Sequence, residues 1–303
     1  MELSLIAKPV PTFADNALET LIAETWSDYG LVDSGNGRKL ERYGDFRFIR
    51  PEPQAMWAPA EADWDADGEF IPGSDEEGGG RWQFARPVPR EGWPLAWQEV
   101  RFTAQCTPFR HLAFFPDMAP QWAWMRERLG ADSEMLNLFG YTGVGTLALA
   151  AKGARLTHVD ASKKSVEAGK ANAALSGMAD SPIRWLVDDA AKFAAREVRR
   201  ERRYDGIILD PPKFGRGPNG EIWRLEEGLP GLIADCRRLL DDRSRFLVLT
   251  VYAVRMSALA IGALLDQALV GLGGRITCGD MAVREEARGL LLPTAIFARW
   301  SRD

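Results

Sequence analysis

Four short segments of this 303-residue chain carry residues whose types and spacing suit one ligand and one reaction. The first is Gly140-Tyr141-Thr142-Gly143-Val144-Gly145, which follows the apolar stretch Met135–Phe139. Its glycines let the backbone turn sharply and come close to a ligand. The second is Asp160, 20 residues beyond Gly140 and at the end of RLTHVD, a spacing that lets a carboxylate accept from ribose hydroxyls. The third is Asp188-Asp189, where a carboxylate can accept from an adenine amino group. The fourth is Asp210-Pro211-Pro212-Lys213-Phe214. Its two prolines fix the backbone just after an apolar strand. An aspartate, fixed carbonyls and an aromatic ring suit a planar base, the acceptors holding an amino group and the ring stacking on its face. The glycine order is GxxGxG, whereas a pyrophosphate site calls for GxGxxG. A ligand with adenosine and no phosphate to cradle fits this set better.

These segments need a scaffold, and the sequence supplies one from about residue 110 onward. Met135–Phe139, Arg155–Asp160, Ile183–Val187, Tyr204–Leu209 and Arg245–Val251 read as strands. They alternate with helical stretches at Thr146–Ala151, up to Gly177 and through the arginine run near residue 200. Such alternation predicts a parallel sheet with helices on both faces and its ligand beyond the carboxyl ends of the strands. Arg275–Glu285 and Leu291–Trp300 predict a closing antiparallel hairpin. The first hundred residues differ. They are irregular and hold six of the eleven tryptophans. Arg38–Arg50 and Arg81–Pro87 read as short strands, and Ala17, Leu18, Leu21 and Ile22 have the spacing of a helix over Ala14–Trp26. Ile71-Pro72-Gly73-Ser74 predicts a turn, and the DEEGGG after it a mobile loop tip. The expected division is a small β-rich domain over 1–108 and an α/β domain over 109–303.

Composition narrows the function. The net charge of −5 is split: residues 1–100 carry 9 basic and 19 acidic side chains, the remainder 29 and 24. With a pI near 5.4 the chain does not coat nucleic acid, although one basic face could still grip RNA. The densest basic run, Arg196, Arg199, Arg200, Arg202 and Arg203, reads first as the solvated end of a helix and second as a phosphate contact. Cys106, Cys236 and Cys278 form no CxxC pair, which argues against zinc ribbons and disulfide scaffolds. With only His111 and His158, a multi-histidine metal centre is excluded, and no metal is expected. Mean hydropathy is −0.22, no apolar run has the length of a membrane span, and MELSLIAKPV lacks the features of a signal peptide. A cytoplasmic protein without a membrane partner is expected. The oligomeric state is not legible.

The segments LNLFGYTGVGTLALA (136–150), THVDASKKSVEAGKAN (157–172), WLVDDAAKF (185–193) and YDGIILDPPKFGRG (204–217) resemble the class I S-adenosylmethionine-dependent methyltransferases. More narrowly, they are similar to the bacterial large-subunit rRNA methyltransferases of the 5-methylcytosine and 7-methylguanine group. The resemblance covers about residues 110–303. It implies a Rossmann-like sheet of seven strands with the last antiparallel, S-adenosylmethionine as cofactor and rRNA as partner. By the same resemblance the turn at Gly140–Gly145 wraps the methionine part, Asp160 holds the ribose and Asp189 the adenine. His111–Trp124 resembles the segment that covers the cofactor, which adds Phe115 and Asp117. The implied cofactor set is thus Phe115, Asp117, Asn137, Phe139, Gly140, Tyr141, Thr142, Gly143, Asp160, Ala161, Ser162, Asp188, Asp189 and Asp210. The implied catalytic set is Asp210, Pro211, Pro212 and Phe214.

This chain departs from that group in three places. Asn137 stands where many such enzymes carry an acid. The cytosine-5 relatives place their nucleophilic cysteine just after the fifth strand, where this chain reads Thr250-Val251-Tyr252-Ala253-Val254-Arg255. Cys236 lies in an apolar helical pattern that predicts burial. The acidic N-terminal hundred residues do not resemble the relatives' RNA-binding domain. The expectation is direct methyl transfer to a nitrogen or another nucleophile without a cysteine adduct. Asp210 and the Pro211 carbonyl would orient the acceptor and Phe214 would stack on it, with Tyr252 and Arg255 near the pocket and Lys213 either on phosphate or solvated. The alternatives are a protein or small-molecule acceptor, a nicotinamide oxidoreductase, which the glycine order opposes, and a non-catalytic RNA- or partner-binding module.

Overall fold

A computed structural model describes residues 18–73, 79–130, 132–252 and 255–302. The N-terminal strands are β1 (Glu19–Ala23), β2 (Tyr29–Gly35), β3 (Arg38–Tyr43), β4 (Phe46–Pro51), β5 (Gly68–Pro72), β6 (Gly80–Phe84), β7 (Trp93–Trp97) and β8 (Val100–Ala104). A short 3-10 turn (Pro116–Met118) leads into α1 (Ala119–Glu127). The alternating part then runs β9 (Glu134–Leu138), α2 (Val144–Ala150), β10 (Arg155–Asp160), α3 (Lys163–Leu175), β11 (Ile183–Val187), α4 (Ala190–Arg199) and β12 (Gly206–Leu209). A small hairpin, β13 (Phe214–Arg216) and β14 (Ile222–Arg224), precedes α5 (Leu225–Arg238), β15 (Phe246–Tyr252), α6 (Ala258–Ala268), β16 (Arg275–Arg284) and β17 (Leu291–Ser301).

The main sheet has the order β1-β16-β17-β15-β12-β9-β10-β11. β12, β9, β10, β11 and β15 run parallel, while β17 is antiparallel to both β15 and β16. That is the Rossmann-like sheet with an antiparallel last strand that the resemblance implied. The buried strands are near-continuous apolar runs, as parallel strands covered on both faces must be: Gly206–Leu209 and Phe246–Val251 are buried throughout. One face packs on α4, α5 and α6, around Phe193, Ile233 and Leu265. The other packs on α1 and α2 and on the N-terminal strands, around Leu147, Met125 and Phe102.

The seven strands expected become eight among the described residues, because β1 pairs parallel with β16, Leu21 opposite Met281. The same pairing overturns the helix expected over Ala14–Trp26, of which residues 14–17 lie outside the described residues. The apolar spacing is real, but β16 offers an open edge, and its ladder of backbone hydrogen bonds outweighs a weak helical preference in a stretch containing Thr20 and Ile22. The remaining N-terminal strands form the five-stranded sheet β2-β3-β4-β5-β6 and the hairpin β7-β8. Ile71 and Pro72 belong to β5 and pair with Arg81 and Gly80. Of the expected loop tip over 75–80, residues 75–78 lie outside the described residues, and its end is paired backbone instead, Gly79 bridging to Phe109 and Gly80 opening β6. The β16–β17 turn clasps the N-terminal sheet: Glu286 N donates to Leu31 O at 2.7 Å, and Arg288 pairs with Asp33 and Glu285. No helix among the described residues is long and apolar enough to cross a membrane.

Candidate active site

Five neighbouring strands deliver side chains to one cavity of about 540 Å³ at their carboxyl ends: Tyr252 from β15, Asp210 after β12, Phe139 after β9, Asp160 from β10 and Asp189 after β11. Its size falls in the usual range for small-molecule sites, ~300–1,000 Å³. The glycine turn after β9 is conformationally unusual. Phe139, Tyr141 and Gly143 all have positive φ, at 59°, 49° and 80°. For Phe139 and Tyr141 this is a strained state of the kind that clusters at functional sites. Gly140 is required for space: a Cβ there would lie 2.4 Å from the His158 ring. Beneath the turn Asn137 Nδ2 donates to Thr146 Oγ1 at 2.9 Å, and Thr146 Oγ1 meets His158 Nδ1 at 2.9 Å. Burial lowers the His158 pKa to about 3. The imidazole is a neutral core group, and Asn137 is tied into this buried chain.

Asp160 is set by the same turn. Asp160 Oδ2 accepts from Tyr141 N at 2.9 Å and Oδ1 from Ser162 N at 2.8 Å, so the carboxylate cannot rotate. Burial raises its pKa. The segment ahead of α1 closes over the turn: Thr142 Oγ1 donates to Ala113 O at 2.6 Å, and Tyr141 Oη lies 3.4 Å from His111 Nδ1. Asp189 lines the cavity and also caps α4, its Oδ1 accepting from Lys192 N at 2.8 Å. One side chain does both tasks. Asp188 does not reach the cavity lining. Its carboxylate accepts from Asp189 N and pairs with Arg196. The arginine run is the ion-paired end of α4, with Arg200 on Glu197 and Arg202 on Glu134.

Asp210 sits at the floor. Burial first, then the charges of Asp117 and Asp160, push its pKa up to about 8. It is therefore a neutral acid at pH 7, able to donate as well as accept. Pro211 is buried beside it, and the Pro212 carbonyl is occupied by the Trp223 indole N–H at 2.7 Å. Trp223 also packs on Phe139, ring centroids 5.1 Å apart. Asp117 lies apart from the main cavity, in a neighbouring polar cavity of about 170 Å³ that shares His111, Phe115 and Tyr252 with it. Its Oδ2 and the Tyr252 hydroxyl are both buried, and the two groups interact with each other.

Of the residues singled out in the sequence, Phe115, Phe139, Tyr141, Asp160, Ala161, Ser162, Asp189, Asp210, Pro211 and Pro212 line the main cavity. Asn137, Gly140, Thr142 and Gly143 lie around a narrow cleft of about 50 Å³ behind it. Phe214 is not in the lining. It is exposed on β13, with the Arg224 guanidinium over its ring. His111, the first residue of the expected covering segment, lines the cavity too, and Trp223 and Arg216 line it and escaped the sequence reading. The signal for Trp223 was present: Pro218-Asn219-Gly220 is a turn signature between two short strands.

A parallel sheet with an antiparallel last strand, a strained glycine turn and a fixed acid after the second strand define a Rossmann-like nucleoside-cofactor enzyme. The profile of the S-adenosylmethionine-dependent methyltransferase family matches residues 76–242, and the chain belongs to that family. The structure is similar to the crystal structure of the SAM-dependent methyltransferase from Agrobacterium tumefaciens, with 41% identity, a TM-score of 0.91 and 95% of each chain covered. In sequence it is similar to ribosomal RNA large subunit methyltransferase K/L of Magnetococcus marinus, 31% identical over 153 residues, which is 48% of this chain and 20% of that protein. It is also similar to ribosomal RNA large subunit methyltransferase I of Alteromonas mediterranea, 33% identical over 84 residues, which is 27% and 21%. The chain thus spans about a fifth of the length of these relatives. The enzyme uses S-adenosylmethionine, and the residues present fit it. The cavity holds a fixed, partly free carboxylate for ribose hydroxyls and the apolar walls of Phe115, Phe139 and Pro211.

Proposed function

We propose that this methyltransferase modifies a base of ribosomal RNA by direct transfer to a nitrogen, with no cysteine adduct. The observation that carries this reading is Asp210. It is a half-buried acid whose pKa is pushed up to about 8, next to Pro211 and in the same cavity lining as Asp160. A neutral carboxyl and a carbonyl side by side offer one donor and two acceptors, which match the nitrogen edge of a base. Bound S-adenosylmethionine supplies the sulfonium methyl. Asp160 holds the ribose and Asp189 faces the adenine. Asp210 and the Pro211 carbonyl fix the acceptor nitrogen in line, so catalysis comes mainly from alignment. None of the three cysteines lines the cavity. Cys236 and Cys278 are buried, and burial raises the Cys106 thiol to about 12. The two rRNA-modifying relatives support ribosomal RNA as the acceptor.

The test is nucleoside mass spectrometry of rRNA from the parent strain, a deletion strain and a deletion strain complemented with Asp210→Ala. A methylated nucleoside lost on deletion and not restored by Asp210→Ala supports the proposal. An unchanged rRNA profile overturns the RNA reading in favour of a protein or small-molecule acceptor.

A further inference from the structure

The β13–β14 hairpin has two faces of different chemistry. In its register Phe214 faces Arg224, Gly215 faces Trp223 and Arg216 faces Ile222. Side chains alternate along a strand, so Phe214, Arg216, Ile222 and Arg224 share one face and Gly215 and Trp223 the other. The Trp223 face is the anchor, buried on Phe139 and bonded to Pro212. The opposite face is open: Phe214 is 43% and Ile222 64% exposed. Arg216 has no acidic partner among the described residues, and Arg224 has only Glu227, at 3.9 Å. The hairpin is nonetheless held firmly. Lys192 Nζ meets Glu221 Oε1 at 2.7 Å, and Glu221 Oε2 accepts from Asn219 N at 2.9 Å.

Packing does not account for this open face. Two apolar side chains stand in water in a diagonal pattern with two guanidinia, on a hairpin whose Arg216 and Gly217 line the mouth of the cavity. The charges inside and outside the cavity are opposite: Asp160 and Asp189 inside, Lys213 and Arg216 at the mouth. Aromatic and aliphatic surfaces interleaved with arginines take base faces and phosphates together, the pattern of single-strand binding. A duplex offers no open base faces and does not match it. We infer that the outer face of this hairpin grips the unpaired nucleotides beside the target base, Phe214 and Ile222 against base faces and Arg216 and Arg224 on phosphates. This rests on the RNA reading above, and it moves Phe214 from the target base to its neighbour.

The test is fluorescence anisotropy of a labelled 12-nucleotide single-stranded RNA of mixed sequence, and of its duplex, across a salt series. Phe214→Ala/Ile222→Ala is expected to weaken single-strand binding about tenfold or more, with S-adenosylmethionine affinity by calorimetry within about twofold of wild type. Arg216→Ala/Arg224→Ala is expected to make the slope of log affinity against log salt shallower by about 1.4, the value for two phosphate contacts on a single strand. Wild-type affinity and slope in both variants, or a wild-type preference for the duplex, overturns the inference. Methylation of rRNA from the deletion strain separates it from the parent reading. Turnover with an unchanged KM in both variants removes the hairpin and leaves the rRNA reading. Hairpin-dependent strand binding without rRNA turnover removes the rRNA reading and leaves the hairpin.

Discussion

The Trp223 indole N–H donates to the Pro212 carbonyl at 2.7 Å and so ties the β13–β14 hairpin to the turn after β12. It thereby braces the turn that carries Asp210, Pro211 and Pro212. Replacing Trp223 with Phe keeps most of the ring packing on Phe139 and Gly228 and removes the donor. The expected cost is about 1 kcal/mol of stability, the net worth of one such bond. The catalytic effect is expected to be larger, a fall in kcat of roughly tenfold with cofactor affinity nearly unchanged, because alignment tolerates little looseness. Single-turnover kinetics beside calorimetry would check it. An unchanged kcat would mean that the tie is only structural.

Much of the site was legible in the sequence because its signals are local. A glycine turn after an apolar strand, and an acid at the end of the next strand, are short-range patterns, and the fold carries them to the cavity unaltered. Gly140 illustrates this, since the nearby His158 ring leaves no room for a side chain there. The misses share another cause. Residues 19–23 form a strand because a distant edge, β16, needs a partner, and no local pattern records that. Phe214 follows the proline pair in sequence, yet the alternation of a three-residue strand turns it outward and brings Trp223 in. Asp188 and Asp189 are neighbours with the same chemistry, and only the start of α4 decides that Arg196 takes the first.

Asp160 is held by two backbone donors, from Tyr141 and Ser162. Asp160→Ala removes the carboxylate and leaves both donors without their partner, so the glycine turn loses its brace as well as the ribose contact proposed above. Hydrogen bonds to charged groups contribute about 1.5–3 kcal/mol each. A loss of S-adenosylmethionine affinity on the order of a hundredfold is expected. Calorimetry measures it directly, and an affinity within threefold of wild type would refute the assignment.

The pKa of Asp210 gives stability a definite pH dependence. In the unfolded chain this carboxyl ionises near 3.8, and in the fold burial and the charges of Asp117 and Asp160 hold its proton to about 8. Between those values the folded state binds one proton more than the unfolded state. The contribution is therefore complete below about pH 4, declines as pH rises, and is gone above about pH 8. Asp210→Asn removes the titration. Relative to wild type, the variant should gain stability steadily from pH 5 to 8, reaching on the order of a few kcal/mol, and then run parallel. Urea unfolding of both proteins across this range decides the matter, and curves that stay parallel from pH 5 to 8 would contradict it.

The N-terminal sheet has its own buried charge, and it reaches the site. Glu41 and Arg50 are 1% and 7% exposed and joined by Arg50 Nε to Glu41 Oε2 at 2.7 Å. Tyr29 and Tyr43 donate to the same carboxylate at 2.8 and 3.1 Å. Burial alone would raise the Glu41 pKa, but Arg50 and Lys39 outweigh it and hold it below the ordinary value. Arg50 Nη1 also donates to Arg110 O at 2.8 Å, one residue before His111 in the cavity wall. Arg50→Met removes the close partner of a buried carboxylate and leaves it only Lys39, 3.8 Å away, and breaking a buried pair typically costs about 3–5 kcal/mol. It also releases the start of the segment that covers the glycine turn. The expected result is a loss of stability of that size together with weaker cofactor binding. Arg50→Met/Glu41→Leu should recover part of the stability by removing the stranded charge, but not the cofactor affinity, because the Arg110 carbonyl still lacks its donor. Unfolding curves and calorimetry on the same three proteins would separate the two effects, and recovery of both together in the double variant would show that Arg50 acts on the cavity only through stability.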